Sequence, residues 1–253
     1  MALHGNHLMM KPDFADARIK LPRERKHIAD VEAAISSFLK EDFYHLRLEK
    51  RHEFNELILD SLHQPNKDIN ALVGDAISNL RSVLDYVAVA IVSPVTGNSE
   101  SIGFPFADNA KGFAGEVTKR SIGLFASTLV DHFIDEVQAY RGGKGETYWI
   151  LNKLRNIDKH RLLISTVNIA GVYITAKMGG MMMEDCFFGS TEGQSTNMIL
   201  FPAGLVIDFA YKPRPAFEVR LSEPPFIERT PVVDFLNKAA RDIENLLSAL
   251  SSI

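Results

Sequence analysis

Residues 149–163 read WILNKLRNIDKHRLL, a stretch that predicts an α-helix when wound at ~100° per residue. One stripe of this helix is apolar and contains Ile150, Leu151, Leu154, Ile157 and, just beyond it, Ile164. Asp158 and Arg161 fall inside that stripe. Outside it lie Asn156, Lys159 and His160. Because aspartate and arginine are rarely buried without a partner, we expect both charges to be largely buried and bonded to each other or to a neighbouring helix.

These two charges have two interpretations. In the first, Asp158 and Arg161 form a structural ion pair that fixes the register of the helix. In the second, they belong to a polar functional site. In either case we expect Asp158→Ala to cost ~3–5 kcal/mol of stability, because it leaves a buried charge unpaired.

Length, composition, net charge and cysteine count limit which classes of protein this chain can belong to. The chain has 253 residues, 46% hydrophobic and 24% charged, which is ordinary for a soluble globular protein of one large or two small domains. A formal net charge of -4 disfavours broad coating of nucleic acid, although it leaves room for a local basic patch. The single cysteine, Cys186, has no partner for an internal disulfide, which suits a reducing compartment.

Several classes of site are not expected. The cysteine and histidine residues lack zinc-site spacing, so we expect no metal and no cofactor. No run reaches the ~18 consecutive apolar residues of a membrane span, so we expect no membrane contact and a cytoplasmic location. The glycine-rich stretch 141–145 lacks the spacing of a phosphate loop and is interpreted as a turn leading into the key helix.

The chain before residue 100 predicts an arm, two helices and a pair of strands. Residues 1–25 are interpreted as an N-terminal arm, and apolar spacing predicts a helix over 26–41. Alternation of apolar and polar residues over 44–50 and 54–60 favours two strands, with continuation of the first helix as the alternative. A long helix is predicted over 67–93, ending before a proline.

The helix at 67–93 carries polar residues on the flanks of its apolar stripe. Arg81 and Asp85 lie together at positions i and i+4 on one flank, and Asn79 lies at the other edge. They are the candidate partners for Asp158 and Arg161. The simpler alternative for Arg81 and Asp85 is an exposed ion pair contributing ~0.3–0.5 kcal/mol.

The remaining segments complete an α+β fold. Two aromatic rings at Phe104-Pro-Phe106 are expected to pack on the bundle, and helices are predicted near 108–119 and from 123. After residue 163 the period changes to that of strands, until Thr230 and Pro231 begin a last helix. Residues expected to face inward from the sheet are Val172, Ile174, Ile199, Val206 and Val219. We therefore predict a helical bundle over 26–163 and a small antiparallel sheet with a C-terminal helix over 164–253, packed as one unit.

Two of these segments together resemble a group of bacterial proteins. Residues 79–86 read NLRSVLDY, residues 151–161 read LNKLRNIDKHR, and Phe104-Pro-Phe106 lies between them. The resemblance covers roughly residues 30–165 and implies no particular activity.

A second resemblance concerns mechanism. The segment from Arg155 to His160 is similar to the R-x4-6-H signature of HEPN-domain ribonucleases, including the polar residue directly after the arginine. That family implies a helical bundle that dimerises and cleaves RNA without a metal. His160 would then move protons, Arg155 would stabilise charge on the phosphate, and Asn156 would orient the reacting groups.

The alternative function is a noncatalytic module that binds a ligand or protein. In that case the Asp-Lys-His-Arg segment is structural, and the cleft between bundle and sheet is the place to look for a ligand. Arg155 lies ~140° from His160 around the helix, so the two do not simply point together; a ribonuclease requires them to come within reach either in one chain or across a two-fold interface. The full set of candidate binding residues is Asn79, Arg81, Asp85, Asp158, Lys159 and Arg161.

Overall fold

The computed structural model describes residues 12–41, 45–50, 54–60, 63–97, 99, 102–178, 180–189, 198–202, 207–210 and 213–253. These residues form six α-helices and eight β-strands, so the mixed helix-and-sheet class predicted from the sequence is confirmed. The helices are α1 Ala15–Phe38, α2 Lys67–Thr96, α3 Ala110–Lys119, α4 Ser127–His132, α5 Glu146–Asp158 and α6 Val232–Ser251. The strands are β1 His45–Lys50, β2 Phe54–Asp60, β3 Ser165–Met178, β4 Met181–Gly189, β5 Met198–Pro202, β6 Ile207–Phe209, β7 Arg214–Glu223 and β8 Ile227–Pro231.

The bundle is built around α2, which packs against α1, α5 and α6. Its apolar residues recur at helical spacing, and Val73, Ile77, Leu80, Leu84, Val87 and Ile91 are completely buried. Among the described helices, α2 alone is both long enough and apolar enough to cross a bilayer. However, 56% of its most apolar 18-residue stretch is buried inside the protein. Burial of this kind is typical of the core helix of a bundle.

Both long N-terminal helices extend beyond their predicted ends. Helix α1 begins at Ala15, so the part of the predicted arm from 15 to 25 is helical. The reason is that Ala17 and Leu21 continue the buried stripe that Ile28 and Val31 carry further along. Helix α2 runs through Pro94 to a left-handed Gly97, because proline in the last turn removes only one intrahelical hydrogen bond.

The segment between α2 and α5 packs aromatic rings onto the bundle, as predicted. Phe104 is buried, and its ring centroid lies 5.2 Å from that of Phe106 and 5.6 Å from that of Phe133. The helix predicted from residue 123 is interrupted: a short 3₁₀ turn precedes α4, and a π-helical turn over Phe133–Val137 follows it. Gln138 then ends this segment in the left-handed conformation.

The strands form two antiparallel sheets. The β1–β2 hairpin is confirmed, and β2 also pairs with β5, so Met198–Pro202 does not belong to the predicted 164–222 sheet. The second sheet has the order β4–β3–β7–β8, with β6 also paired to β3. Val172, Ile174 and Val219 are buried as expected. Ile199 and Val206 lie outside the residues whose side chains are described.

The larger sheet is bonded directly to the bundle. The backbone N–H of Val167 in β3 donates to Oε1 of Gln64 at 3.1 Å, just before α2. Ser165 at the start of β3 hydrogen-bonds to Asn70 in α2. The chain therefore leaves α5 and enters the sheet while still in contact with the central helix.

Helix α6 returns from the sheet to the bundle, where it packs on α1, α2 and α5. It begins at Val232, with Pro231 as the capping residue, and Thr230 lies in β8. The predicted threonine cap is therefore wrong, since the Thr230 hydroxyl donates to the Glu228 carbonyl oxygen at 3.3 Å. Strand pairing with β7 holds residues up to 231 in the sheet and delays the helix.

Candidate functional site at the end of α5

Helix α5 begins earlier and ends earlier than predicted, at Glu146 and Asp158. Its most deeply buried residues are Leu151 and Leu154, whereas Ile150 and Ile157 are half-buried and Ile164 is exposed. The buried face is therefore rotated from the predicted stripe. Because the helix stops at Asp158, His160 and Arg161 lie in the turn that leads to β3.

Arg161 pairs with the sheet and not with α2. Its guanidinium donates two parallel hydrogen bonds to the Glu223 carboxylate at the end of β7, Nη1 to Oε1 at 2.9 Å and Nη2 to Oε2 at 2.6 Å. The Ile164 N–H donates to the same carboxylate at 2.6 Å. Glu223 is buried, but Arg161 keeps 51% of its side chain exposed, so its predicted burial is wrong. This bidentate bond raises the pKa of Arg161.

Asp158 lies against α2, but no cation pairs with it among the described residues. A β-carbon built on Gly74 would stand 2.6 Å from Cγ and 2.7 Å from Oδ2 of Asp158, so the carboxylate occupies the space that this glycine leaves. Burial, followed by the charge of Asp75, raises the pKa of Asp158. The helix dipole also disfavours an acid in the last turn. The expected pairing of Asp158 with Arg161 or with the polar flank of α2 is wrong.

The turn after α5 is thus anchored on both sides. Asp158 is seated on α2 and Arg161 on β7, with Lys159 and His160 between them and exposed to solvent. The backbone N–H of His160 donates to the Ile157 carbonyl oxygen at 2.9 Å, which closes the turn. The imidazole therefore projects from a segment whose ends are fixed.

The three candidate catalytic residues lie at this end of α5. Arg155 is half-buried, Asn156 is exposed, and His160 is exposed on the turn. No contact joins the Arg155 side chain to His160 within the part of the chain that the structure describes. Arg155 instead lies on the side of α5 that faces Arg81 of α2, and its charge helps to lower the pKa of Arg81 after the larger effect of burial.

The polar flank of α2 meets α5 through a residue that the sequence did not single out. Nε of Arg81 donates to Oδ1 of Asn152 at 3.0 Å, and Nη1 of Arg81 lies 2.7 Å from Oδ1 of Asp85. Asp85 also accepts the Phe104 N–H at 3.0 Å. Arg81 is 7% exposed, so this pair is not the exposed ion pair of the simpler alternative. Asn79 is half-buried and takes no described part in this network.

An aromatic and basic cluster covers the first half of α5. Lys153 Nζ lies 5.3 Å from the ring centroid of Trp149 and 5.7 Å from that of Phe226, in the β7–β8 turn. Asp108 accepts from Trp149 Nε1 at 3.0 Å and lies 2.7 Å from Lys153 Nζ. These bonds lower the pKa of Asp108. The Trp149 ring is therefore covered on this side of α5, whereas Asn156 further along the helix is exposed.

A cleft of about 460 Å³ lies between the start of α5, β8 and α6. Its apolar lining comes from Ile150, Phe226, Ile227 and Phe235, and its charged lining from Lys144, Glu146, Glu228 and Lys238. The glycine-rich turn before α5 borders this cleft, but its backbone is engaged: the N–H groups of Gly142 and Lys144 donate to side-chain oxygens of Glu146 and Gln138. No cluster of three or more potential metal ligands occurs within the described residues.

Comparison with known proteins adds no assignment: no family model, curated protein or solved structure matches the chain.

Proposed function

We propose that this chain is an intracellular, HEPN-like protein that cleaves RNA without a metal, using His160 and Arg155. The observation that carries the proposal is the exposed imidazole of His160 on a turn anchored by Asp158 on one side and Arg161 on the other. Proton transfer needs a titrating group that substrate can reach, and a fixed backbone keeps that group in one place.

The proposed chemistry is attack of a ribose 2′-hydroxyl on the adjacent phosphorus. His160 removes the 2′-hydroxyl proton and, as the imidazolium that results, protonates the leaving 5′-oxygen, so that the products are a 2′,3′-cyclic phosphate and a free 5′-hydroxyl. Arg155 donates hydrogen bonds to the phosphate oxygens as their charge grows. Asn156, exposed one residue further along α5, orients the phosphate.

Because the resemblance to HEPN-domain ribonucleases implies a dimer that brings two such motifs together, the active form we propose is a two-fold dimer. In it, Arg155 of one protomer and His160 of the other act on the same phosphate. Within the basic segment from Lys153 to Arg161, Arg155 and Lys159 pair with no carboxylate among the described residues, which supports a polyanionic substrate despite the acidic balance of the whole chain.

The test is cleavage of a single-stranded RNA oligonucleotide in EDTA, with the products resolved by their terminal groups. We expect cyclic-phosphate ends, and loss of cleavage in His160→Ala and Arg155→Ala at unchanged melting temperature. The matched controls are His63→Ala and Arg241→Ala, which remove exposed residues of the same types elsewhere. Full activity of His160→Ala would refute the proposed role.

The cleft beside α5 favours a second candidate function, binding of a small amphipathic ligand. Its apolar lining suits an aromatic or aliphatic body, and its lysines and glutamates, two of each, suit a polar end on the ligand. The probe is anilinonaphthalene sulfonate, whose fluorescence rises in such a site. We expect Phe235→Ala and Lys238→Ala to weaken its binding if the cleft is the site, and an unchanged titration in both variants would exclude it.

A further inference from the structure

Three guanidinium groups lie near the seam between α2 and α5. Arg81 of α2 is bonded to Asn152 of α5 and to Asp85. Arg120, at the end of α3, approaches Gly103 beside Asp85. Arg155 follows Asn152 by about one turn of α5.

Arg81 lies at the centre of the seam, and the pKa of Arg81 is lowered first by burial and then by the positive charges of Arg155 and Arg120. The charge of Asp85 opposes this effect. Like charges held together destabilise one another unless a counter-charge is present.

The acidic residues beside this seam do not neutralise it. Asp85 is shared between Arg81 and the Phe104 N–H. Glu116 lies 3.2 Å from Arg120 Nε and 3.2 Å from Lys119 Nζ, so its one charge faces two cations.

The end of the seam nearest His160 has free basic groups. No carboxylate in the described ranges pairs with Arg155. Lys159 follows one turn later, ~40° further round and exposed. Asp158 points elsewhere, since it lies ~100° from Lys159 around α5 and is seated on Gly74.

A buried glycine, Gly103, leaves space that the end of the Arg120 side chain occupies. A β-carbon on Gly103 would stand 2.8 Å from Arg120 Nη1 and 3.3 Å from Asp85 Oδ1. A methyl group at position 103 would therefore shift the end of the Arg120 side chain. The same surface carries Phe106, whose ring centroid lies 4.3 Å from Cζ of Arg81 and whose side chain is half-buried.

We infer that the solvent-accessible basic groups along this seam, Arg120, Arg155 and Lys159, bind the phosphate backbone of single-stranded RNA and lead it to His160, while Arg81 is buried and bonded within the protein. This inference rests on the proposed function and assigns the path of its substrate. Guanidinium and ammonium groups near one another suit successive phosphates. Single-stranded RNA is the occupant that we assign, because it is the substrate of the proposed cleavage.

The test measures binding apart from cleavage. Every variant is made in the His160→Ala background, and a fluorescent single-stranded RNA is titrated at several salt concentrations. We expect Arg120→Ala and Lys159→Ala each to weaken binding about threefold to tenfold and to reduce the slope of log K against log salt by ~0.7. The control is Arg241→Ala, which removes an exposed arginine on α6 and should leave the RNA affinity and its salt dependence unchanged.

Gly103→Ala is the sharpest variant, because it moves Arg120 without changing the net charge. It should weaken binding in the same direction as Arg120→Ala and by less, and circular dichroism melts show whether each variant is folded. If the folded Lys159→Ala and either folded variant at 103 or 120 bind like Arg241→Ala, the seam is not the RNA path. That result leaves cleavage by the wild-type protein intact, whereas seam-dependent binding without any wild-type cleavage overturns the proposed ribonuclease instead. Absence of RNA binding by the wild-type protein overturns both.

Discussion

The carboxylate of Asp158 lies in the space left by Gly74, the one point where α2 has no side chain facing the end of α5. The contact joins the helix that organises the bundle to the turn that carries His160. Glycine in a helix is unfavourable by roughly 0.5–1 kcal/mol relative to alanine, so its presence here reflects the approach of Asp158.

A double-mutant cycle tests this relationship. Gly74→Ala alone should lower the free energy of unfolding by about 1–3 kcal/mol, because its methyl group overlaps the carboxylate. In the Asp158→Ala background the same change should stabilise the protein by roughly 0.5–1 kcal/mol through helix propensity. Urea denaturation of the four proteins gives the coupling energy, and additive effects would show that the two residues do not compete for space.

The charge of Asp158 should destabilise the folded protein at neutral pH. Its pKa is raised by burial and by Asp75, so its contribution to stability is present below the unfolded pKa and is lost as the pH rises through the folded pKa. Asp158→Asn should therefore have a higher melting temperature than wild type at pH 8 and the same melting temperature at pH 3. A large loss of stability at pH 8 would instead support the sequence-based expectation that Asp158 is paired with a cation.

The Arg161–Glu223 pair should contribute strongly to stability. Arg161→Ala leaves a buried carboxylate with one described donor, the Ile164 N–H, and should cost roughly 3 kcal/mol, near the lower end for a broken buried pair. Arg161→Lys should lose less stability than Arg161→Ala but should stay less stable than wild type, because an ammonium does not reproduce the two parallel hydrogen bonds. Lys159→Ala, a neighbouring exposed residue, is the control for thermal melts.

A buried glutamate in α1 should make stability depend on pH. Glu24 is 2% exposed, and burial raises its pKa from 4.5 to about 7 against the opposing charges of Lys20 and Arg23. Its protonated form therefore stabilises the fold below about 4.5, and this contribution is lost as the pH rises through about 7. Glu24→Gln should be more stable than wild type at pH 8, by at most roughly 3 kcal/mol, and equal near pH 4. The exposed Glu32→Gln on the same helix should show no such difference.

The hydrogen bond between Asn152 and Arg81 should matter more than the exposed amide one turn away. Asn152→Ala removes the acceptor of a buried guanidinium N–H and should cost about 1–3 kcal/mol. Asn156→Ala should change stability by less than about 0.5 kcal/mol, since its side chain is exposed. Equal melting temperatures for the two variants would show that Asn152 is not required to hold α5 on α2.

Elements with one buried face have a periodic apolar pattern, and that pattern predicted α2, α5, the β1–β2 hairpin and the strands after residue 164. It could not predict partners that are distant in sequence. Glu223 lies 62 residues from Arg161, and nothing in the spacing of α5 indicates that its charge belongs to a strand. Asn152 was missed because a lone asparagine on a helix has no pattern. The available signal was the arginine on α2, because a guanidinium buried against α5 requires a hydrogen-bond acceptor there.

The contact between α1 and α6 has a consequence for how the protein is made. Arg25 of α1 pairs with Glu244 of α6 at 2.6 Å although the two are 219 residues apart. The apolar faces of α1 and α2 that α6 covers must therefore stay open on the ribosome until both sheets have been synthesised. Contacts of such long range slow folding and expose apolar surface in the meantime. A nascent chain that stops short of α6 should accordingly be the species that chaperones bind.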